Sequence, residues 1–312
     1  MKTIIYILLS YFLVLPTDSI AKHLNEGDPY ISETFDIDGL AQLEMKTAGA
    51  SIHVDVWEYD QVLVEVFVTR NGKVLNVNDP EVMEKLEEFD FEIYQENQKV
   101  LVAMRSKSRT AWNMGRNQLS FTFQIHVPER TSADLRSAGG SISLSGLDGD
   151  HSLVSSGGSI SILDCAGQFD AKSSGGSFRV EHFVGSMDVS SSGGSVRVDD
   201  FVGSLIINSS GGGLNLNDIA GSLIANSSGG SIKANLLSLE GQVSLKSSGG
   251  GISATLPGGE GLDLDLRGTS SKLRLENFIG EIKGNTVKGK LNGGGIPVTM
   301  ASSGGSVKLD FR

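Results

Sequence analysis

Residues 191–208 read SSGGSVRVDDFVGSLIIN, and residues 209–212 open the same phrase again as SSGG. The Gly-Gly pairs begin at Gly139, Gly157, Gly175, Gly193, Gly211 and Gly229, each 18 residues after the last. A further pair starts at Gly249 after a two-residue insertion, and the phrase returns as Ser302, Ser303, Gly304, Gly305, Ser306. A fixed period of this kind marks a solenoid, in which each repeat buries its apolar edge only against its neighbours.

Within one unit Val196 and Val198 alternate with Arg197 and Asp199, and Leu205 and Ile207 alternate with Ser204 and Ile206. Period-two alternation over short runs means strands, not helices. Each unit is therefore expected to hold two short strands, separated by a Gly-Gly corner and by an x-Phe-x-Gly corner such as Asp200, Phe201, Val202, Gly203. Glycine at both corners allows positive φ or close stacking of coils. Strands one unit apart must run parallel, so the expected fold is all-β: a single-chain parallel β-helix or β-solenoid with 18-residue repeats. At ~4.8 Å per coil, about nine or ten coils would make a rod about 45 Å long.

Aligning the second corner gives the column Leu147, Cys165, Phe183, Phe201, Ile219, Leu239 and Phe278, all apolar. Cys165 is thus expected to be a core thiol, and a reactive thiol would need a basic, exposed setting that this column does not offer. Residues 271–280 (SKLRLENFIG) match 195–203 with Lys272 added, so the solenoid is expected to continue through them.

Lys2 precedes the apolar run 4–15, and Ser19 and Ala21 are the small residues that signal peptidase inspects. Residues 1–21 are expected to be an export signal, with the mature chain starting at Lys22 in a periplasm, at a cell surface or outside the cell. No cysteine near that site implies no lipid anchor, and no later run has the length of a transmembrane helix. With one cysteine in the chain, stability must come from stacking rather than disulfides. A hydrophobic content of 39%, periodically placed, with 40 glycines fits thin cores and many turns. A formal net charge of −11 argues against nucleic acid as a general partner, because phosphate contacts need clustered cations.

Residues 22–136 are expected to hold the first coils and an irregular cap, and residues 137–312 the repetitive solenoid. Thr47-Ala-Gly-Ala-Ser-Ile-His-Val54 reads as a first coil, with a strand over 62–69 beside it. The period is lost between about 72 and 117. Asp79 and Pro80 supply an N-cap and first turn, and Val82, Met83, Leu86 and Phe89 have amphipathic spacing, which predicts an acidic helix over 80–88. Strands are expected over 91–94, 100–105 and 119–127.

An export signal, a T-A-G-A-S-I-H-V coil, an irregular middle ending at Val127, Pro128 and Thr131, and S-x-G-G-S-I-x-V repeats with interleaved G-S-L-x-I strands resemble the bacterial putative adhesin family of Ser/Gly-rich β-strand repeats, domains of unknown function. The resemblance covers about 33–312. It implies a β-helical fold and a surface or periplasmic setting, and it brings no catalytic residues.

An enzyme is the rival reading, since β-helices also host polysaccharide lyases and hydrolases. The best carboxylate pairs are Asp199 with Asp200, which as strand neighbours point to opposite faces, and Asp148 with Asp150, in a Gly-rich corner. The five histidines, His23, His53, His126, His151 and His182, have no metal-ligand spacing. Residues 284–290 (GNTVKGK) approach a phosphate loop, but Leu291 stands where Ser or Thr must reach magnesium. The Ser-Gly stripe lacks the Asp of calcium-binding rolls, and its hydroxyls are expected to bond to one another along the rod.

One basic cluster stands against the acidic background: Arg105, Lys107, Arg109, Trp112 and Arg116. It is the expected ligand site, gripping a sugar ring or an anionic envelope polymer, unless it pairs with the acidic helix within the cap. The sequence therefore describes an exported, non-enzymatic solenoid without cofactor that presents an extended surface for adhesion to an envelope polymer, glycan or protein. The alternatives are a periplasmic scaffold or envelope-stress protein and, third, a carbohydrate-active enzyme.

Overall fold

Alternation within each 18-residue unit puts Val196, Val198, Phe201, Leu205 and Ile207 on one side of the chain, and all five are buried, while Arg197, Asp200 and Ser204 face water. A computed structural model of the protein describes residues 27–107, 119–269 and 276–312. Residues 1–21, the expected export signal, lie outside the described residues. From Ile142 to Ser227 each strand pairs in parallel with the strand one unit on, so that Val196 faces Phe178 on one side and Leu214 on the other. The core is a solenoid-like stack of these rungs, and the 22 strands of the described residues form one long sheet.

The expected pair of short strands per unit is in fact one bent strand. Ile160–Ser173, Phe178–Ser191, Val196–Ser209 and Leu214–Ser227 run unbroken through the Phe corner. The bend comes from two left-handed residues. Asp164, His182, Asp200 and Asp218 have φ of 52°, 51°, 56° and 54°, and Gly167, Gly185, Gly203 and Gly221 follow at 109–137°. Asp tolerates this region better than most side chains, so the ladder turns by skipping only the one left-handed residue of each rung and resumes at the next.

The Gly-Gly corner works differently. Neither glycine has positive φ there, but a Cβ on Gly194 would lie 2.2 Å from the carbonyl oxygen of Gly176, and on Gly212 2.2 Å from that of Gly194. These glycines exist for contact between rungs. The first serine of each Ser-Ser-Gly-Gly is buried, as at Ser173, Ser191, Ser209 and Ser227, and the second is exposed. Among the described residues the expected hydroxyl-to-hydroxyl bond in this column occurs at its start, where Thr47 Oγ1 donates to Ser137 Oγ at 3.3 Å, and further along the hydroxyls turn to the corner backbone instead. Ser209 Oγ donates to the Gly212 carbonyl at 3.3 Å, Ser247 Oγ to Gly230 at 3.0 Å, and Gly250 N donates back to Ser247 Oγ at 2.9 Å. A hydroxyl inside an apolar stack must be satisfied, and the corner backbone satisfies it.

Cys165 faces Phe183, Phe183 faces Phe201, and Phe201 faces Ile219. The Phe183 and Phe201 rings stack at 5.2 Å. Cys165 is buried, its Sγ donates to the Leu163 carbonyl at 3.2 Å, and burial pushes the thiol pKa up. Two expected members of the column fall elsewhere. The insertion in residues 237–242 shifts the register, so Ile219 faces Leu236 and Leu239 faces Gly221. Phe278 opens Phe278–Lys283, which pairs antiparallel with Thr286–Leu291 across a two-residue turn whose Gly284 has φ 57°. The part of 271–280 that is described thus forms a hairpin and not a coil, because Gly284-Asn285 is a hairpin signal that overrides the partial repeat.

At the N-terminal end Ala41–Thr47 lies between Thr131–Ser137 and Lys99–Ser106, parallel to both. Ser51–Val56 likewise lies between Ile142–Ser145 and Ser120–Val127. The first coil is therefore inside the stack, and residues 57–130 leave it, build an outer rung and return. Gln61–Arg70 is not beside the first coil, as expected for 62–69, but one strand further out, antiparallel to Ser120–Val127. Ile31–Asp36 pairs with it, and Phe89–Glu96 with Lys99–Ser106. The helix spans Pro80–Leu86, two residues shorter than expected, with the Asp79 side chain accepting from Glu81 N at 2.9 Å. At the other end Ile296–Ser302 and Val307–Phe311 stack on residues 243–256, and Leu262–Arg267 adds outside Ile296–Ser302.

Candidate functional site

Outward residues are sorted by charge around the Ser-Gly edge. Lys46, Arg136, Lys172 and Lys246 stand just before the phrase; Arg179, Arg197, Lys233 and Lys308 stand two residues after its final serine or glycine–serine turn. Their carboxylate partners lie two residues further from the edge on the same strand face: Asp134 on Arg136 at 3.0 Å, Asp170 on Lys172 at 2.8 Å, Glu181 on Arg179 at 2.5 Å and Asp310 on Lys308 at 2.7 Å. Period-two geometry makes each pair neighbours, and it leaves the cations next to the serines.

At the N-terminal end of this edge the cations gather in a groove of about 630 Å³ lined by Lys46, Arg105, Lys107 and Arg136, with Thr47, Ser137 and Ser156 between them. Among the described residues no carboxylate lines it. Arg105 reaches Glu92 at 3.6 Å, and Lys107 reaches Asp90 at 3.2 Å and the Glu87 carbonyl at 2.9 Å. Of the five residues expected to form the basic site, the structure thus brings Arg105 and Lys107 together and ties Lys107 to the cap; Arg109, Trp112 and Arg116 lie outside the described residues. Lys46 and Arg136 were not foreseen. Their signal was positional, since each immediately precedes the phrase on adjacent rungs and the register places them side by side.

The same column continues as Val154, Lys172, Ser190, Asn208, Asn226 and Lys246. Ser190, Asn208, Asn226 and Lys246 line a second groove of about 560 Å³ together with the exposed serines of the edge. Asn226 Nδ2 donates to Asn208 Oδ1 at 3.0 Å.

A third groove, about 610 Å³, lies two residues further from the edge on the same strand face and is mainly acidic, with Glu44, Asp134, Asp150, Asp170 and Asp188 beside Lys99. Hydrogen bonds from Lys46 and Lys99 hold the Glu44 carboxyl at about 2. His151 also belongs to this rung; it is buried against Phe169 at 4.3 Å between ring centres, neither ring nitrogen has a partner, and burial lowers its pKa to about 4. The two carboxylate pairs considered for catalysis do not assemble. Asp148 and Asp150 flank Gly149 in the strand Asp148–Ser155, whose register with Ala166, Gly167 and Gln168 puts them at the Gly-containing Phe corner, as expected. Burial pushes the Asp199 pKa up, but hydrogen bonds from Asn217 and Arg197 outweigh it and leave the group below its ordinary value, while Asp200 turns away at the bend. Among the described residues no group of three or more His, Cys, Asp or Glu could hold a metal ion.

Residues 41–310 match the family described as Toastrack DUF4097, and the chain belongs to that family. No curated protein matches it. Among solved structures it is similar to a putative cell adhesion protein from Clostridium sporogenes ATCC 15579, at 12% identity over 91% of this chain and 100% of that one, with a TM-score of 0.23. It is also similar to a putative adhesin from Bacteroides fragilis NCTC 9343, at 13% identity over 89% and 96%, with a TM-score of 0.38. Overlaps this loose carry no argument about what the chain does. No helix among the described residues is long and apolar enough to cross a membrane.

Proposed function

We propose that the chain is an exported, non-enzymatic parallel β-solenoid with 18-residue coils and a capping insertion after its first coil, which presents the Ser-Gly edge as an extended surface for adhesion or envelope contact. The observation that carries this is the sorting of cations onto one edge of a chain whose net charge is −11. Isolated solvated cations need no explanation, but four around one groove, each paired with a carboxylate outside its lining, turn exchangeable positive groups toward one edge of an otherwise acidic chain. The parallel ladder extends that edge over consecutive rungs, as a contact surface for a long partner requires.

Cell fractionation with N-terminal sequencing tests the reading. The mature chain should begin at Lys22, be accessible to protease on intact cells and bind isolated envelopes. A cytoplasmic chain that retains residues 1–21, or one indifferent to envelopes, would exclude it. A second reading, a periplasmic scaffold or envelope-stress protein that binds a protein partner, is favoured by the exposed Met83 and Tyr94 on the cap. Protection of the chain inside the periplasm, with loss of partner binding in Tyr94→Ala, would select it.

A further inference from the structure

Resting on that surface-binding reading, we infer that the column beside the Ser-Gly edge is a gutter for a linear anionic polysaccharide, whose carboxylate or phosphate groups seat among Lys46, Arg105, Lys107 and Arg136 and whose neutral hydroxyls run over Ser190, Asn208 and Asn226.

The two grooves are parts of one line. Register places Lys46, Arg136, Val154, Lys172, Ser190, Asn208, Asn226 and Lys246 on successive rungs, so a polymer lying along the rod meets both in order. With rungs ~4.8 Å apart, Arg136 and Lys172 are ~10 Å apart and Lys172 and Lys246 ~19 Å apart. Cations so spaced suit a chain that carries a charge every few sugar units, and they suit poorly a polymer charged at every residue, which the acidic remainder of the protein would repel.

The cations are free to change partner. Lys46, Arg105, Lys107 and Arg136 have side-chain exposures of 59%, 70%, 50% and 50%; the last three pair with exposed carboxylates, while Lys46 shares the half-buried Glu44 with Lys99. Exposed ion pairs are worth little, so a ligand anion can replace or join the resident one at small cost. Further along, hydroxyls and carboxamides take over. The Asn226–Asn208 bond uses one donor and one acceptor, which leaves the Asn208 amide hydrogens and the Asn226 carbonyl oxygen for a sugar hydroxyl.

Titration of the mature protein with a linear polysaccharide carrying one uronate among several neutral sugars, one carrying a phosphodiester at similar spacing, and neutral dextran, each also as short oligomers, tests the inference. At least one polyanion should bind, more weakly at high salt, and dextran should not; which polyanion binds distinguishes carboxylate from phosphate. Lys46→Gln with Arg136→Gln should weaken binding about tenfold or more, equivalent to about 1.4 kcal/mol. Asn208→Asp, which keeps its shape and can still accept from Asn226, should weaken the long polymers several-fold and leave short oligomers unchanged. All three positions are at the surface, and an unchanged thermal midpoint establishes that the variants fold. Polyanion binding that ignores Lys46→Gln/Arg136→Gln places the contact elsewhere and overturns the inference. Envelope binding without polyanion binding overturns it and leaves the adhesion reading standing, whereas binding to neither removes both.

Discussion

Between Ile142 and Ser227 every strand faces its own counterparts 18 residues away, whereas at each end the chain abandons that offset and turns antiparallel. The middle has no core beyond the columns that each rung passes to the next. The N-terminal end has one, in which Phe89 and Phe121 meet edge to face at 4.6 Å and Tyr30 reaches Phe91 at 5.7 Å. The C-terminal end is a thinner hairpin with Ile279 and Ile282 exposed. A repeating stack would otherwise offer an open edge to other chains; here the outer strands carry charges such as Asp90, Glu92 and Glu281, which deter pairing. Repetition, then, supplies length, and departure from repetition supplies closure.

The sharpest break of this contrast is at glycine. Gly194→Val in the middle should cost more than about 3 kcal/mol, because its side chain meets backbone that the neighbouring rung cannot move. Gly72→Ala in the cap, where nothing lies within 4 Å and only φ is strained, should cost about 1 kcal/mol. Urea midpoints measure both, and equal costs would deny that the corner glycines serve rung contact.

His151 marks the junction between the two regimes. Its folded pKa, about 4, is depressed from 6.5, so the unfolded chain binds the proton first and stability falls as pH drops below about 6.5, levelling off near 4. The full loss is about 3 kcal/mol. His151→Leu, the residue type at Leu205 in the same column, should flatten the melting temperature across that window, and a slope that survives would assign it to other groups. Ser209→Ala should cost about 1 kcal/mol, through the corner hydrogen bond it removes. Asp200→Gly should have the smallest effect, within about 1 kcal/mol of neutral, since relief of its left-handed strain offsets the added freedom of the unfolded chain. A large loss there would show that the Asp side chain, and not its φ, shapes the bend.

How far the sequence could be read follows the same division. The inward column through Cys165, Phe183 and Phe201 was legible because one offset relates all its members. The continuous ladder through the Phe corner was not, since glycine is the expected residue for positive φ and Asp200 takes it instead. Phe278 misled because it keeps the local motif while Gly284-Asn285 turns the chain back on itself. The basic site was half visible: Arg105 and Lys107 cluster in sequence, but Lys46 and Arg136 lie 90 residues apart and become neighbours only because the strand Ala41–Thr47 docks on Thr131–Ser137.

That docking also sets an order in time. A middle rung can add as soon as the next 18 residues are available, which keeps its contacts local. The rung of Ala41–Val56 has no partner on either face until residues 99–145 have been made, and the one ending at Phe311 must bypass residues 257–295 to reach its seat. Non-local closures are slow because the loop entropy is lost before the contacts are gained. The rod should therefore nucleate near its centre and be closed at its ends last, and in reverse its unfolding should begin from those ends, where each closure spans the longest stretch of chain.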